Sequence, residues 1–220
     1  MSTATDVIDH LAGIAPGSHL HEIRAQRPQA RENAQKSYLA LFAPEFPGDV
    51  TALERFAVAT FVAGLHRQPV VSDFYAAGLQ GLGQPAVASA VAAEIVRGAV
   101  EGPYGRYPQG PLSVEDKEGP DYRVSDENAA PLGRRLTAAL RHAHLLVFHP
   151  RDASQAALQK LLDAGWSTTD IVTLSQLVSF LTFQIRVVAG LRTLAAASRH
   201  EETDTRHEPA LTGLLASSTV

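Results

Sequence analysis

Apolar residues recur three and four positions apart along most of this chain, the stride that lines one face of an α-helix. Val7, Leu11 and Ile14 set the pattern and predict short helices near 4–14 and 19–27, punctuated by Pro16, Gly17 and Pro28. A more charged helix over 29–41 runs into Ala40-Leu41-Phe42-Ala43, where Pro44-Glu45-Phe46-Pro47-Gly48 stops it and turns the chain. Thr51-Ala52-Leu53-Glu54 places a carboxylate three residues after a hydroxyl. That is the capping-box signature, and it opens a helix reaching about 66. Pro69 begins the next helix, over 69–79, which Gly81 and Gly83 close; an alanine- and valine-rich helix then covers 85–100.

Between 102 and 130 the pattern fails. Gly102, Gly105, Gly110 and Gly119 alternate with Pro103, Pro108, Pro111 and Pro120, which no packed helix survives. A loop of this length inside a compact domain is either a lid or an insertion without fixed structure, and otherwise a plain solvated surface loop. It holds Tyr104, Tyr107 and Tyr122, three of the five tyrosines. Helical periodicity returns with Leu132, Leu136, Leu140, Ala143 and Val147, and Pro150 ends it. A short helix follows from Asp152 or Ser154, with Gly165 placed as its left-handed cap. Ser167-Thr168-Thr169-Asp170 repeats the capping box and opens the longest helix, over 167–197. Ile171, Leu174, Val178, Leu181, Ile185 and Val188 give it a stripe that Leu177, Phe180, Val187 and Leu191 widen, so the helix is expected to be buried on most sides. Ser175, Ser179, Thr182 and Arg186 form a polar stripe directed at a polar cavity or a subunit neighbour. The two capping-box helices echo one another, though their arginines fall in registers three residues apart.

Composition narrows the class without naming a reaction. The 220 residues are 45% hydrophobic but only 6% aromatic, a balance that favours packed helices. A formal charge of −4 offers no general attraction for phosphate backbones or anionic lipid, so neither nucleic acid nor membrane is an expected partner. No signal peptide is visible, no stretch is expected to span a bilayer, and a cytoplasmic location follows. There is no cysteine. Disulfides, thiolate metal sites and cysteine nucleophiles are therefore excluded. His142, His144 and His149 are spaced two and five apart, which is poor for metal ligation beside an i, i+4 pair, and no metal site is expected.

The block Gly165-Trp166-Ser167-Thr168-Thr169-Asp170-Ile171-Val172, continuing through Phe180-Leu181-Thr182-Phe183-Gln184-Ile185-Arg186-Val187-Val188-Ala189-Gly190-Leu191, resembles the last helix of the carboxymuconolactone decarboxylase and alkylhydroperoxidase D superfamily. In its peroxidase-related branch that helix reads Phe-x-Phe-x-x-Arg followed by small and apolar residues. The segment 51–79 is similar to the superfamily's core helix pair, in which a Glu-Arg-like pair leads into Cys-x-x-Cys-x-x-x-His. The resemblance spans roughly 20–195. It implies an all-α, alkylhydroperoxidase D-like helical bundle over 19–197, with an N-terminal arm at 1–18 and a flexible tail at 198–220, and it implies a homo-oligomer. An ungapped reading puts Gln68 and Val71 at the cysteine positions and Tyr75 at the histidine, while Glu54 and Arg55 stand for the Glu-Arg-like pair, with Glu54 two residues from the family's acid. Gln and Val cannot be redox centres, so thiol peroxidase activity is not expected.

Each candidate has a competing structural role. Glu54 is either a proton-transfer acid or the partner of Thr51 in its helix cap. His66 is either an acid or base near neutral pH or a group satisfying terminal carbonyls. Tyr75 reaches a ligand from the wall of the former thiol pocket or sits in the core with its hydroxyl satisfied. Arg186, mid-helix, needs a carboxylate or carbonyl partner, as an ion pair joining the two helical halves or as the anchor of an anionic substrate. Two functions stay open. One is a cofactor-free lyase or isomerase acting on a small organic acid, with Glu54, His66 and Tyr75 catalytic and Arg186 and Gln68 binding substrate. The other is a non-catalytic ligand-binding protein or partner subunit of a cysteine-containing relative. Convergence of Tyr75, His66 and Arg186 on one small molecule favours the enzyme; separate ion pairs and caps favour the second.

Overall fold

Helix α4, Ala52–Leu65, is the hub of the protein: Ala57, Val58, Ala59, Thr60, Phe61, Val62 and Ala63 are buried in succession, which no helix with a solvent face allows. The computed structural model describes the backbone of residues 6–205 and the side chains of 6–197. Around α4 pack α5 (Pro69–Gly81), α6 (Pro85–Gly98), α7 (Asp126–Phe148) and α9 (Thr168–Thr205). Two short helices, α1 (Val7–Ala12) and α2 (His19–Ala25), precede α3 (Pro28–Phe42), and α8 (Gln155–Asp163) lies against α7 and α9. No strand occurs among the described residues, so the architecture is all-α.

Local sequence rules account for most element ends. Thr51 and Glu54 exchange the two bonds of a capping box, with Glu54 N–H donating to Thr51 Oγ1 at 3.2 Å and Thr51 N–H to Glu54 Oε2 at 2.9 Å. Ser167 and Asp170 do the same at the start of α9, both at 3.1 Å. Gly165 takes a left-handed φ of 95° after α8, and Trp166 N–H closes back on Leu161 O at 3.1 Å. Within α7, Gly133 has φ 69° and ψ 172°, a region open essentially only to glycine. The chain there breaks a first turn, capped by Ser125, from the main body of the helix. At Gly78 a Cβ would stand 2.3 Å from the Phe56 ring, so glycine is what lets α5 close on α4.

Several expectations change in three dimensions. From Asp6 on, the expected N-terminal arm belongs to the body: Val7, Ile8 and Leu11 are buried, and Asp6 and Asp9 pair with Arg24 and Arg31 across α1, α2 and α3. Residues 1–5 lie outside the described residues. At the other end α9 continues to Thr205, past the expected stop at 197, and the rest of the expected tail, 206–220, lies outside the described residues. The helix expected to be buried on most sides is instead half exposed. Its apolar stride from Ile171 to Val188 is buried, while Val172, Ser179, Phe183 and Arg186 face outward. By length and apolarity Thr168–Ala197 does meet the requirement for crossing a bilayer, which corrects the expectation that no stretch would. Half of its most apolar window is buried inside the protein, against α1, α3, α4, α7 and α8, and core packing accounts for that half.

The 102–130 segment is an ordered strap. Gly105 and Lys117 exchange two backbone hydrogen bonds, Tyr104 N–H donates to Phe148 O at 2.6 Å, and Pro111–Glu115 forms a short 3-10 turn. Tyr104 and Tyr122 are buried by it against the helices.

Candidate functional site

The sequence-derived candidates do not converge. Glu54 and His66 stand at opposite ends of α4, about 18 Å apart along its axis. Glu54 is consumed by structure: besides its capping box it accepts from Arg135 Nε at 2.8 Å. Arg135 also lies 3.6 Å from Asp170 and covers the Trp166 ring at 4.4 Å. One guanidinium thus ties the capped starts of α4 and α9 together, the junction that the sequence assigned to Arg186. Arg186 itself is exposed, and its guanidinium donates to Thr182 O on its own helix at 3.0 Å. Arg186 thus has the carbonyl partner expected of it, but on its own turn, and it forms no ion pair among the described residues. The requirement applies to Arg55, which is buried and satisfies three carbonyls of the α3–α4 turn, those of Leu41, Pro47 and Val50, at 2.8 to 3.0 Å.

Tyr75 is fully buried among Phe42, Phe56 and Phe74, and its hydroxyl donates to Gln184 Oε1 at 2.6 Å. Burial pushes its ionisation well above the ordinary range, leaving the phenol no role as a base. Gln68 caps α5 through its backbone carbonyl, which accepts from Val71 and Ser72. His66 closes α4; burial, reinforced by the nearby Arg186 charge, lowers its pKa, and its Nε2 has no partner among the described residues. Of the five, His66 is the one with a buried side-chain polar atom left unpartnered among the described residues.

A cavity of about 680 Å³ lies elsewhere, between α7, α8 and the end of the strap. Its size falls in the range of small-molecule sites. One wall is a face of α7 carrying Arg134, Thr137, Ala138, Arg141, His142 and Leu145, with His149 just past its end; α8 supplies Ala157, Lys160, Leu161 and Asp163, and Gly119–Val124 of the strap lies opposite. The strap is pinned there by Glu94 of α6, a fully buried carboxylate. Glu94 accepts from the Tyr122 hydroxyl at 2.7 Å, from Ser125 N–H and Oγ at 3.1 and 2.9 Å, and from Asn128 Nδ2 at 2.7 Å. Arg97 adds an ion pair at 3.2 Å. Burial alone raises a carboxyl pKa, but here the bonds from Asn128, Tyr122 and Ser125 outweigh it and hold Glu94 below its usual value. Tyr122 in turn stacks on His144 at 4.4 Å, and His144 Nε2 donates to Gly98 O at 3.0 Å, since a carbonyl only accepts. Burial drives the His144 pKa down to about 4.

Three of the residues lining this cavity also carry buried polar atoms without partners. Thr137 Oγ1, both ring nitrogens of His142 and Nε2 of His149 are buried, and none has a hydrogen-bond partner among the described residues. Leaving such a group unpaired costs about 1–3 kcal/mol, and His66 Nε2 and Gln184 Nε2 are in the same state away from the cavity. His142 is 5% exposed and burial lowers its pKa, so its ring is neutral at neutral pH and offers one donor and one acceptor. The acids around the cavity are already engaged: Asp121 with Arg123 and Arg141, Asp152 with His149, Asp163 with Gln159. Arg134 donates to the Asp163 carbonyl and meets no carboxylate, and Lys160 joins no ion pair among the described residues. Asp152 and Asp163, whose partners are a histidine ring and an amide, set two carboxylates beside these two cations.

No group of three His, Cys, Asp or Glu side chains is placed to hold a metal ion among the described residues. No family model, no curated protein and no solved structure matches this chain. The superfamily resemblance therefore rests on the residues quoted for it, and the site is read from its own geometry.

Sequence reasoning missed Thr137, Glu94, Arg134, Lys160 and the cavity itself. It considered the three histidines only for metal binding, and set that aside on their spacing. The usable signal was their concentration on one amphipathic helix next to a tyrosine-rich loop; what was absent was any sign that strap and helix meet.

Proposed function

We propose that the protein binds a small organic acid in the cavity between α7, α8 and the strap, and that it is a ligand-binding rather than a catalytic member of the carboxymuconolactone decarboxylase and alkylhydroperoxidase D-like group. The observation that carries the binding reading is His142, a buried imidazole with both nitrogens unpartnered against a cavity of about 680 Å³. Kinship is supported by the all-α architecture and by the helix-start and last-helix residues that carry the resemblance. A chain without cysteine has no thiolate with which to reduce a peroxide. The lyase or isomerase reading loses ground because Glu54, Tyr75 and Arg186 are spent in a cap, a buried hydrogen bond and a surface contact rather than around one reacting molecule.

The test is a thermal-shift screen of organic acids on the wild type and on His142→Phe. Ligands that raise Tm in the wild type and not in the variant support the site; equal shifts in both proteins place the binding elsewhere.

A further inference from the structure

The two halves of the strap are held in different ways. Residues 103–118 are tied by backbone groups: Gly105 and Lys117 pair with each other, Tyr104 N–H donates to Phe148 O at 2.6 Å, and Arg106 N–H donates to Asp152 Oδ1 at 3.3 Å. Residues 119–131, which run from the end of the strap into the first turn of α7, exchange no backbone–backbone bond with another element among the described residues. Side chains hold this stretch, and they converge on Glu94 of α6. The four bonds that Glu94 accepts from Tyr122, Ser125 and Asn128 all come from it. Tyr122 is its one buried residue, with the ring 5.6 Å from Phe61 and 4.4 Å from His144. A second tie, Asp121 to Arg141 at 3.0 Å, is partly exposed, where an ion pair adds little. Glycines mark both ends. Gly119 rests on the Tyr104 ring, which a Cβ there would meet at 2.3 Å. Gly133 breaks α7 at φ 69° and ψ 172°, and nothing lies within 4 Å of the place its Cβ would take, so glycine there serves the backbone angle rather than close packing. Behind the stretch lies Thr137. It stands one turn before Arg141 and two before His144, the residues of α7 that meet Asp121 and Tyr122, and its Oγ1 is shut from solvent.

We infer that residues 119–131 form a hinged cover on the cavity, pivoting at Gly119 and Gly133 and latched by Glu94, which opens as a unit and exposes the Thr137 flank of α7. The latch makes opening concerted. Tyr122, Ser125 and Asn128 share one acceptor, so losing Glu94 frees all three together, with no backbone ladder to resist. Glu94 then keeps Arg97 of its own helix, at 3.2 Å, as counter-charge. Residues 103–118 stay on the end of α7 through their own bonds, as does the main body of α7 beyond Gly133. The cover belongs to the cavity proposed above as the binding site, but opening is read without any ligand, so either reading can fail while the other stands.

Because the chain has no cysteine, one introduced thiol reports opening without background. Thr137→Cys puts it under the cover, and Ala59→Cys puts it in α4 at 0% exposure, where only global unfolding reaches it. Labelling of each full chain by iodoacetamide is timed against the same chain unfolded in urea. Both thiols are expected to react more slowly than in the unfolded chain, and the one under the cover at least about ten-fold faster than the one in α4. Adding Tyr122→Phe, which keeps the ring, is expected to speed labelling under the cover about ten-fold, the scale of one hydrogen bond to a charged group. Asn128→Ala reads the same latch from its other end should Tyr122→Phe fail to fold. Adding Val71→Ala, a core truncation between α4 and α5, is expected to speed labelling at Ala59→Cys by about ten-fold and to leave Thr137→Cys unchanged. Equal rates at the two thiols, both raised by Val71→Ala, show that only global unfolding exposes Thr137 and overturn the cover. So does a rate under the cover that the latch variants leave unchanged, or one that matches the unfolded chain from the start.

Discussion

Residues 135 and 137 are two apart on α7 and stand for opposite uses of a polar side chain. Arg135 is satisfied on every side: Glu54 at 2.8 Å, Asp170 at 3.6 Å, the carbonyls of Gly165 and Asp49, and the face of Trp166. Thr137, with His142 one turn and a half beyond, has nothing. The first arrangement is a closed clamp on two helix starts. The second is an unfinished network, the feature on which the proposed binding site rests. His66 Nε2 and Gln184 Nε2 are likewise unpartnered away from the cavity, so the cavity wall is set apart by having three such side chains together.

The largest expected effect comes from breaking the clamp. Arg135→Ala leaves Glu54 and Asp170 without their shared cation and uncovers Trp166, and is expected to lower stability by about 2–4 kcal/mol in urea denaturation. A loss below about 0.5 kcal/mol, the range of ordinary surface substitutions, removes Arg135 from the frame.

Acid acts next, on the wall behind the strap. His144 is held at about 4 instead of the usual 6.5 by burial, partly offset by its bond to Gly98, with His149 and Asp121 as its charged neighbours. Because the unfolded chain takes up this proton below about 6.5 and the folded chain resists until about 4, stability fully present above 6.5 is lost as pH falls between those values, by about 3 kcal/mol. His66 and His142, also lowered by burial, add to the same slope. Glu94 and Asp121, held below their usual values, contribute stability that disappears at still lower pH. Denaturation midpoints measured from pH 8 to 4 check the slope, and His144→Phe is expected to flatten it; a flat wild-type profile contradicts the buried neutral imidazole.

His142→Phe sharpens the comparison from the other side. Replacing an unpartnered buried ring by an apolar one is expected to leave unfolding stability unchanged or to raise it by about 1 kcal/mol, while abolishing ligand-induced shifts in Tm. Strong destabilisation without ligand shows instead that His142 belongs to the frame. The smallest effects are expected at Arg186→Ala and Gln68→Ala, within about 0.5 kcal/mol and without change in ligand affinity, because neither side chain holds a second element. A ten-fold loss of binding in either variant returns weight to the enzyme reading.

Much of the frame was legible in advance. Both capping boxes, the proline stops and the left-handed Gly165 are local devices, each decided by residues within a few positions of one another. The apolar stripe of α9 was equally plain, since Ile171 through Val188 are buried at the positions their spacing requires. Partnership was not legible. Helical spacing put Arg186 on the polar stripe of α9, but what that stripe meets depends on where α4 and α7 lie, and they leave Arg186 exposed. Arg55, one residue from the capping Glu54, carries the burial requirement instead.

The sequence by itself determined an all-helical chain without thiol chemistry, because helix period, caps and the absence of cysteine are properties of neighbouring residues or of composition. Only the tertiary structure decided which polar groups are satisfied, because Glu54 finds Arg135, Glu94 finds Tyr122, and His142 finds no one through contacts between residues far apart in the chain. The candidate site is defined by that last outcome, and distance in sequence hides it.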